Sequence, residues 1–150
     1  MSQSLAKNLI HLTFSTQDRE PFLAPMVREG LHRYMAGILN DLDSPALALN
    51  SVTDHTHVLV NLSQNQSLAQ VVMEVKRGSS KWLKTQGPRF CQFHWQGGYG
   101  AFSIGQSGVP QVKSYIAGQE MHHRGATSQK ESRSLLSRYE IAFDDQFLWT

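Results

Sequence analysis

Two short stretches carry residue types and spacings that suit chemistry. The first is Asp54-His55-Thr56-His57-Val58-Leu59-Val60. On an extended strand successive side chains alternate faces, so His55 and His57 project from one side and Thr56, Val58 and Val60 from the other. Two imidazoles side by side on an open sheet face can chelate a divalent ion, although such a pair taken alone is more often two surface histidines. Asp54 either orients a ligand imidazole or is a plain turn residue. The second stretch is Lys113-Ser114-Tyr115-Ile116-Ala117-Gly118-Gln119. Four residues make about one helical turn, which places Tyr115 and Gln119 on one face. Tyr115 could belong with Val112 and Ile116 in a packed stripe, but Gln119 would be an odd core residue, and its amide oxygen offers a third neutral ligand. A phenol with a pKa of ~10 attacks poorly at neutral pH unless a nearby cation or base assists it. Tyr34, Tyr99 and Tyr139 have no comparable partner, so Tyr115 is the candidate nucleophile. His122 and His123 read as partners of a helix C-terminal dipole rather than ligands.

The elements around these stretches follow from periodicity. Ile10, Leu12 and Phe14 alternate with His11, Thr13 and Ser15 as in a half-buried strand. Pro25 opens a helix whose apolar positions run Val27, Leu31, Tyr34/Met35, Ile38 and Leu42, ended by Ser44-Pro45. Residues 46–52 and 55–62 form a hairpin about Thr53-Asp54. Ser67 caps a second helix with the stripe Leu68, Val71/Val72, Val75 and Trp82, ended by Gly87-Pro88. Residues 90–104 predict a strand with an irregular approach, 105–108 a loop, 110–124 a third helix stopped by Gly125, and 130–139 a last helical segment. Strand–helix–strand–strand–helix–strand is the split βαβ order. It predicts an α+β, ferredoxin-like (RRM-like) fold: an antiparallel sheet with helices on one face, plus an extra C-terminal helix carrying Tyr115.

Composition narrows the classes. The chain has 150 residues, 40% of them hydrophobic, and a single cysteine, Cys91. One domain spanning 1–150 is expected, too short for a TIM barrel of ~250 residues. Internal disulfides and multi-cysteine metal sites are excluded. No apolar run approaches a membrane span and no signal-peptide pattern opens the chain, so a cytoplasmic location is expected. The net charge of +2 hides an asymmetry: residues 75–119 contain Lys76, Arg77, Lys81, Lys84, Arg89 and Lys113 and no carboxylate. That stretch is a candidate polyanion surface, the alternative being a solvated helix face.

His55-Thr56-His57, then Tyr115-Ile116 and Gln119 some sixty residues on, closely resemble the single-tyrosine HUH transposases. These are insertion-sequence enzymes acting on single-stranded DNA, with REP-associated relatives. Phe14-Ser15-Thr16, Asp18-Arg19-Glu20-Pro21-Phe22, the segment from Trp95 to Ser103, and Phe147-Leu148-Trp149 resemble family segments in family order. Thr56 departs from the pattern, which has a bulky hydrophobic residue there, and looser packing beneath the site is expected.

The resemblance implies that His55, His57 and Gln119 hold Mg²⁺ or Mn²⁺ and that Tyr115 attacks phosphorus to give a 5′-phosphotyrosine. Two imidazole ligands favour Mn²⁺ as the more tightly bound ion. It also implies that Lys76, Arg77, Lys81 and Lys84 contact phosphates of a DNA hairpin. Phe93, Trp95 or Tyr99 would stack unpaired bases, although Trp95 reads better as core. Insertion-sequence members are homodimers and REP-associated members tend toward monomers, with the loop at 105–108 as hinge. Two alternatives stand beside a DNA-cleaving transposase. One is a catalytically silent, hairpin-binding or domesticated relative. The other is a metal-dependent phosphoesterase, which would leave Tyr115 without a role.

Overall fold

The computed structural model describes residues 2–122 and 127–143. Strand β1 (Leu9–Ser15) is followed by α1 (Pro25–Asp41), the hairpin β2 (Ala46–Ser51) and β3 (His55–Asn61), α2 (Leu68–Lys84) and β4 (Gly100–Ser103). Beyond these come α3 (Val109–Ala117), the single turn α4 (Gln119–His122) and α5 (Ser128–Arg138). The four strands form one antiparallel sheet in the order β2-β3-β1-β4, the order of the ferredoxin-like plan. No helix among the described residues is long and apolar enough to cross a membrane.

Alternation along the strands gives the sheet two different faces. Leu12 and Phe14 of β1 and Val58 and Val60 of β3 pack under Leu31, Met35 and Leu39 of α1 and Val71, Val72 and Val75 of α2. Helix α2 starts where Ser67 accepts a hydrogen bond from the Gln70 N–H at 3.1 Å. Gly30 lets α1 approach α2 closely, since a Cβ there would lie 2.7 Å from the Trp82 ring. On the opposite face Leu9 and Leu59 pack against Val109 and Ile116 of α3. That second layer is what carries Tyr115 to the sheet.

Three expectations need correction. Only residues 100–103 of the 90–104 segment form a strand. Pro88–Phe90 is a 3-10 turn, Phe90 and Phe93 plunge into the core, Trp95 makes one bridge to Thr16, and Gly98 takes a φ of +83°. A run rich in glycine and anchored by aromatic side chains satisfies its burial without a ladder. The third helix is broken at Gly118, whose N–H bonds the Ser114 carbonyl at 3.0 Å, and a new turn starts at Gln119. Its expected end at Arg124-Gly125, His123 and the closing Phe147-Leu148-Trp149 lie outside the described residues. Finally, Thr56 is not loosely packed. Its Oγ1 donates to the Asn50 carbonyl at 3.0 Å and accepts from Ser51 Oγ at 2.9 Å, and Ser51 Oγ meets His32 Nε2 of α1 at 2.8 Å. A polar relay replaces the expected apolar side chain.

Candidate functional site

His55 and His57 leave β3 on the face covered by α3 and α5, both essentially inaccessible to solvent. Their Nε2 atoms converge on one oxygen: Glu131 Oε1 lies 2.7 Å from His57 Nε2 and 3.2 Å from His55 Nε2. Behind them the Nδ1 atoms are held, that of His55 by Asp54 Oδ1 at 2.7 Å and that of His57 by His11 Nε2 at 2.8 Å. The other carboxylate oxygen of Glu131, Oε2, accepts a hydrogen bond from the Tyr115 hydroxyl. The histidine pair, the carboxylate and the phenol thus meet within one chain.

Each group is placed by identifiable local structure. Thr53-Asp54 turns the hairpin so that β3 begins on His55. Helix α3 is pinned by Val109 and Ile116 and by Asn50 of β2, whose Nδ2 donates to the Ile116 carbonyl at 2.9 Å. Gln119, one turn beyond Tyr115, is fully buried and its Nε2 bonds the Tyr115 carbonyl at 3.3 Å. Helix α5 is capped by Thr127 and secured at its far end by Tyr139, which packs on Phe102 (centroids 4.8 Å) and bonds the Ser103 carbonyl at 3.2 Å. At its near end the segment Asp18-Arg19 holds two consecutive left-handed residues, φ 54° each, a conformation uncommon outside glycine. With the Gln129 amide oxygen facing it, Arg19 reaches α5 through two contacts of 2.9 Å.

The electrostatics follow from burial working against partners. Burial alone depresses the His55 imidazole, but the hydrogen bonds and charges of Asp54 and Glu131 outweigh it and lift its pKa to about 9. His11 goes the other way, to about 3, through burial and the neighbouring His57. Burial and the Glu131 carboxylate raise the Tyr115 phenol above its ordinary value, while a hydrogen bond from Gln119 and the charge of Arg138 oppose them. The phenol is therefore held neutral beside a carboxylate.

The donor set fits a divalent cation. Ligand atoms of His55, His57 and Glu131 all lie within 4.8 Å of one another. Imidazoles that present Nε2 inward while Nδ1 is held from behind are in the arrangement typical of metal ligands. Gln119 supplies a further sign: its Oε1 is buried with no hydrogen-bond partner. Leaving such an acceptor unsatisfied costs about 1–3 kcal/mol, a cost a cation would remove.

Sequence reasoning missed Glu131 and His11. Glu131 shares the buried face of α5 with Leu135, four residues on, and a carboxylate on an apolar stripe was the available signal. His11 looked like the polar side of a half-buried strand. Register shows otherwise, because Thr13 pairs with His57 and places His11 on the site face.

The basic residues have unequal placements. Lys76 is half-buried, its Nζ bonding the Gln96 carbonyl at 2.9 Å and also the Gly98 carbonyl, so it braces the loop after Trp95. Arg77 pairs with Glu74 one turn away. Lys81 and Lys84 are exposed on the same helix. Phe93 is fully buried, and Trp95 packs on Phe14 and donates to Ser79 Oγ at 2.9 Å, so both belong to the core. Tyr99, 42% exposed, faces solvent beside Lys76 and Arg77 across a shallow groove.

A ferredoxin-like sheet here presents a His-x-His pair to a tyrosine on a separate helix. Residues 4–119 match the family described as "Transposase IS200 like", and the chain belongs to that family. Solved structures agree in fold. A protein of Deinococcus radiodurans R1 described as a candidate transposase is 20% identical, with 79% of this chain and 98% of that one covered and a TM-score of 0.62. The REP-associated tyrosine transposase bound to a REP hairpin is 16% identical, with 82% and 74% covered and a TM-score of 0.61. No curated protein matches the chain.

Proposed function

We propose that this transposase cleaves and rejoins single-stranded DNA beside a hairpin, with Tyr115 as the nucleophile. His55, His57 and Gln119, joined by Glu131, would hold Mg²⁺ or Mn²⁺, and the added carboxylate gives the set one hard anionic donor. Such an ion supplies charge neutralisation at the scissile phosphate. The observation that carries the reading is the Glu131 carboxylate, bonded through one oxygen to the Tyr115 hydroxyl and 2.7 Å from His57 through the other. It links nucleophile and ligands in one buried cluster.

The chain's own groups divide the remaining work. Helix α3 brings the phenol to the histidine pair, and attack by its oxygen on phosphorus would yield a 5′-phosphotyrosine and a free 3′-hydroxyl. A later 3′-hydroxyl can displace the tyrosine, because the ester bond is conserved. Glu131 accepts the phenolic hydrogen bond, and Asp54 and His11 hold the imidazoles in place. Arg77, Lys81 and Lys84 offer phosphate contacts to a hairpin stem, and Tyr99 offers a stacking platform for an unpaired base.

Because the cluster closes within one chain, this reading places Tyr115 in cis. Light scattering tests the homodimer that the resemblance implies, one copy having a mass of 16.9 kDa. The catalytic test is a denaturing gel after incubation with hairpin-bearing single-stranded DNA and Mn²⁺. A covalent protein–DNA adduct is expected, absent with Tyr115→Phe while hairpin binding stays within about twofold. No adduct with the unaltered protein would overturn the assignment and leave a hairpin-binding relative.

A further inference from the structure

A cavity of about 520 Å³ opens between α3 and α5, directly beside the Tyr115 phenol. Tyr115 forms its inner wall, Leu135 and Tyr139 line one side, and Gln111, Lys130 and Arg138 stand at its edge. Its size is in the range that accepts a small ligand. Lys130 and Arg138 are exposed, and neither side chain makes a hydrogen bond or ion pair among the described residues. The Arg138 charge nevertheless reaches the phenol, where it opposes the effects of burial and Glu131. His11 and Glu131 also line it at its inner end, where the carboxylate is already tied to His57 and Tyr115. Gln111, Lys130, Leu135, Arg138 and Tyr139 are not needed to hold a metal or to orient the histidines, and they give the chamber an apolar wall and a cationic rim that opens at the nucleophile.

We infer that this chamber is the subsite for the nucleotide whose 5′-phosphate is transferred to Tyr115, with Arg138 gripping that phosphate and Gln111 facing the base. The inference rests on the catalytic reading above and adds a direction to it. In-line displacement sends the leaving 3′-oxygen to the side of phosphorus opposite the attacking phenol. The retained 5′-oxygen stays equatorial, beside the attack axis, so a chamber that Tyr115 itself walls lies away from the departing strand and within reach of the retained nucleotide. A guanidinium is suited to the role, since its fork of donors matches two phosphate oxygens. Leu135 and the Tyr139 ring offer an apolar surface to a base.

The test uses two mixed-sequence single-stranded hexanucleotide pools of equal length and charge, one with a 5′-terminal phosphate and the other with a 3′-terminal phosphate. Binding to the whole protein is measured by fluorescence anisotropy in Mn²⁺ buffer. The 5′-phosphorylated pool should bind roughly tenfold tighter, the scale of one charge-assisted contact. Arg138→Gln should bring the ratio close to one. Lys84→Gln, on the other helical layer, should weaken both pools together and keep the ratio. A ratio near one in the unaltered protein overturns the subsite, as does an Arg138→Gln variant that retains the preference or weakens both pools equally. The covalent adduct with hairpin DNA is scored separately. A 5′-end preference without adduct removes the catalytic reading and supports the subsite, while an adduct without the preference removes the subsite alone.

Discussion

At the scale of single residues, Glu131 decides how the site behaves. A carboxylate is seldom buried without partners, because desolvation outweighs anything but close, well-aligned contacts. Here it is 5% exposed and held by two imidazoles and a phenol. If it is also a metal ligand, Glu131→Ala should lower Mn²⁺ affinity by at least about tenfold, as measured by isothermal titration, because metal sites lose that much even when supporting groups are removed. Unchanged affinity would leave Glu131 as a partner of Tyr115 only. Two-residue and four-residue spacings made the shared faces of His55 with His57 and of Tyr115 with Gln119 legible, while only the family resemblance joined the two stretches into one candidate site. Glu131 was not legible, since nothing local says that a helix seventy residues downstream returns to β3. His11 escaped for a related reason: its neighbour across the sheet is fixed by strand register, which emerges only once β1 and β3 are aligned.

Among the elements, strand–helix order and both long helices could be read from periodicity, and the hairpin from its turn. What periodicity misjudged was the path after α2, where residues 90–99 bury Phe90 and Phe93 with a single bridge at Trp95 in place of a strand, and the continuity of α3 across Gly118. Both failures have one cause: tertiary anchors replaced the backbone ladder or helix that local preference favoured. The relay across β3, β2 and α1 is a third case. There the chain at Thr56 exchanges apolar packing for hydrogen bonds to the Asn50 carbonyl and Ser51, and Ser51 meets His32. Thr56→Val keeps the shape but leaves the Asn50 carbonyl without that donor. It should destabilise the protein by about 1–3 kcal/mol in urea unfolding. A neutral or stabilising result would show that apolar packing serves equally well beneath the histidine pair.

For the molecule as a whole, the two layers over the sheet bury histidines with opposite proton preferences, and this sets where the fold is most stable. Burial and Arg28 hold His32 down at about 4, and burial with His57 holds His11 near 3, both below the ordinary 6.5. Between those values and 6.5 the unfolded chain binds protons that the folded one refuses. Their stabilising effect is therefore complete above 6.5 and lost as pH falls toward 4 and then 3. His55, lifted to about 9 against burial by Asp54 and Glu131, contributes fully below 6.5 and loses that contribution as pH rises through 9. The two limbs cross near neutrality, so the metal-free protein should melt highest between about pH 6.5 and 7. By pH 5 its Tm should drop by roughly 5–15 °C, the scale expected when the unfolded chain takes up protons at two histidines that the folded one keeps neutral, at a loss of a few kcal/mol. His32→Gln preserves a polar partner for Ser51 and removes one titrating group, so its Tm should fall less steeply with acid than that of the unaltered protein. A parallel acid limb in the two proteins would show that His32 carries none of the pH dependence and that the burden rests on the histidines around the site.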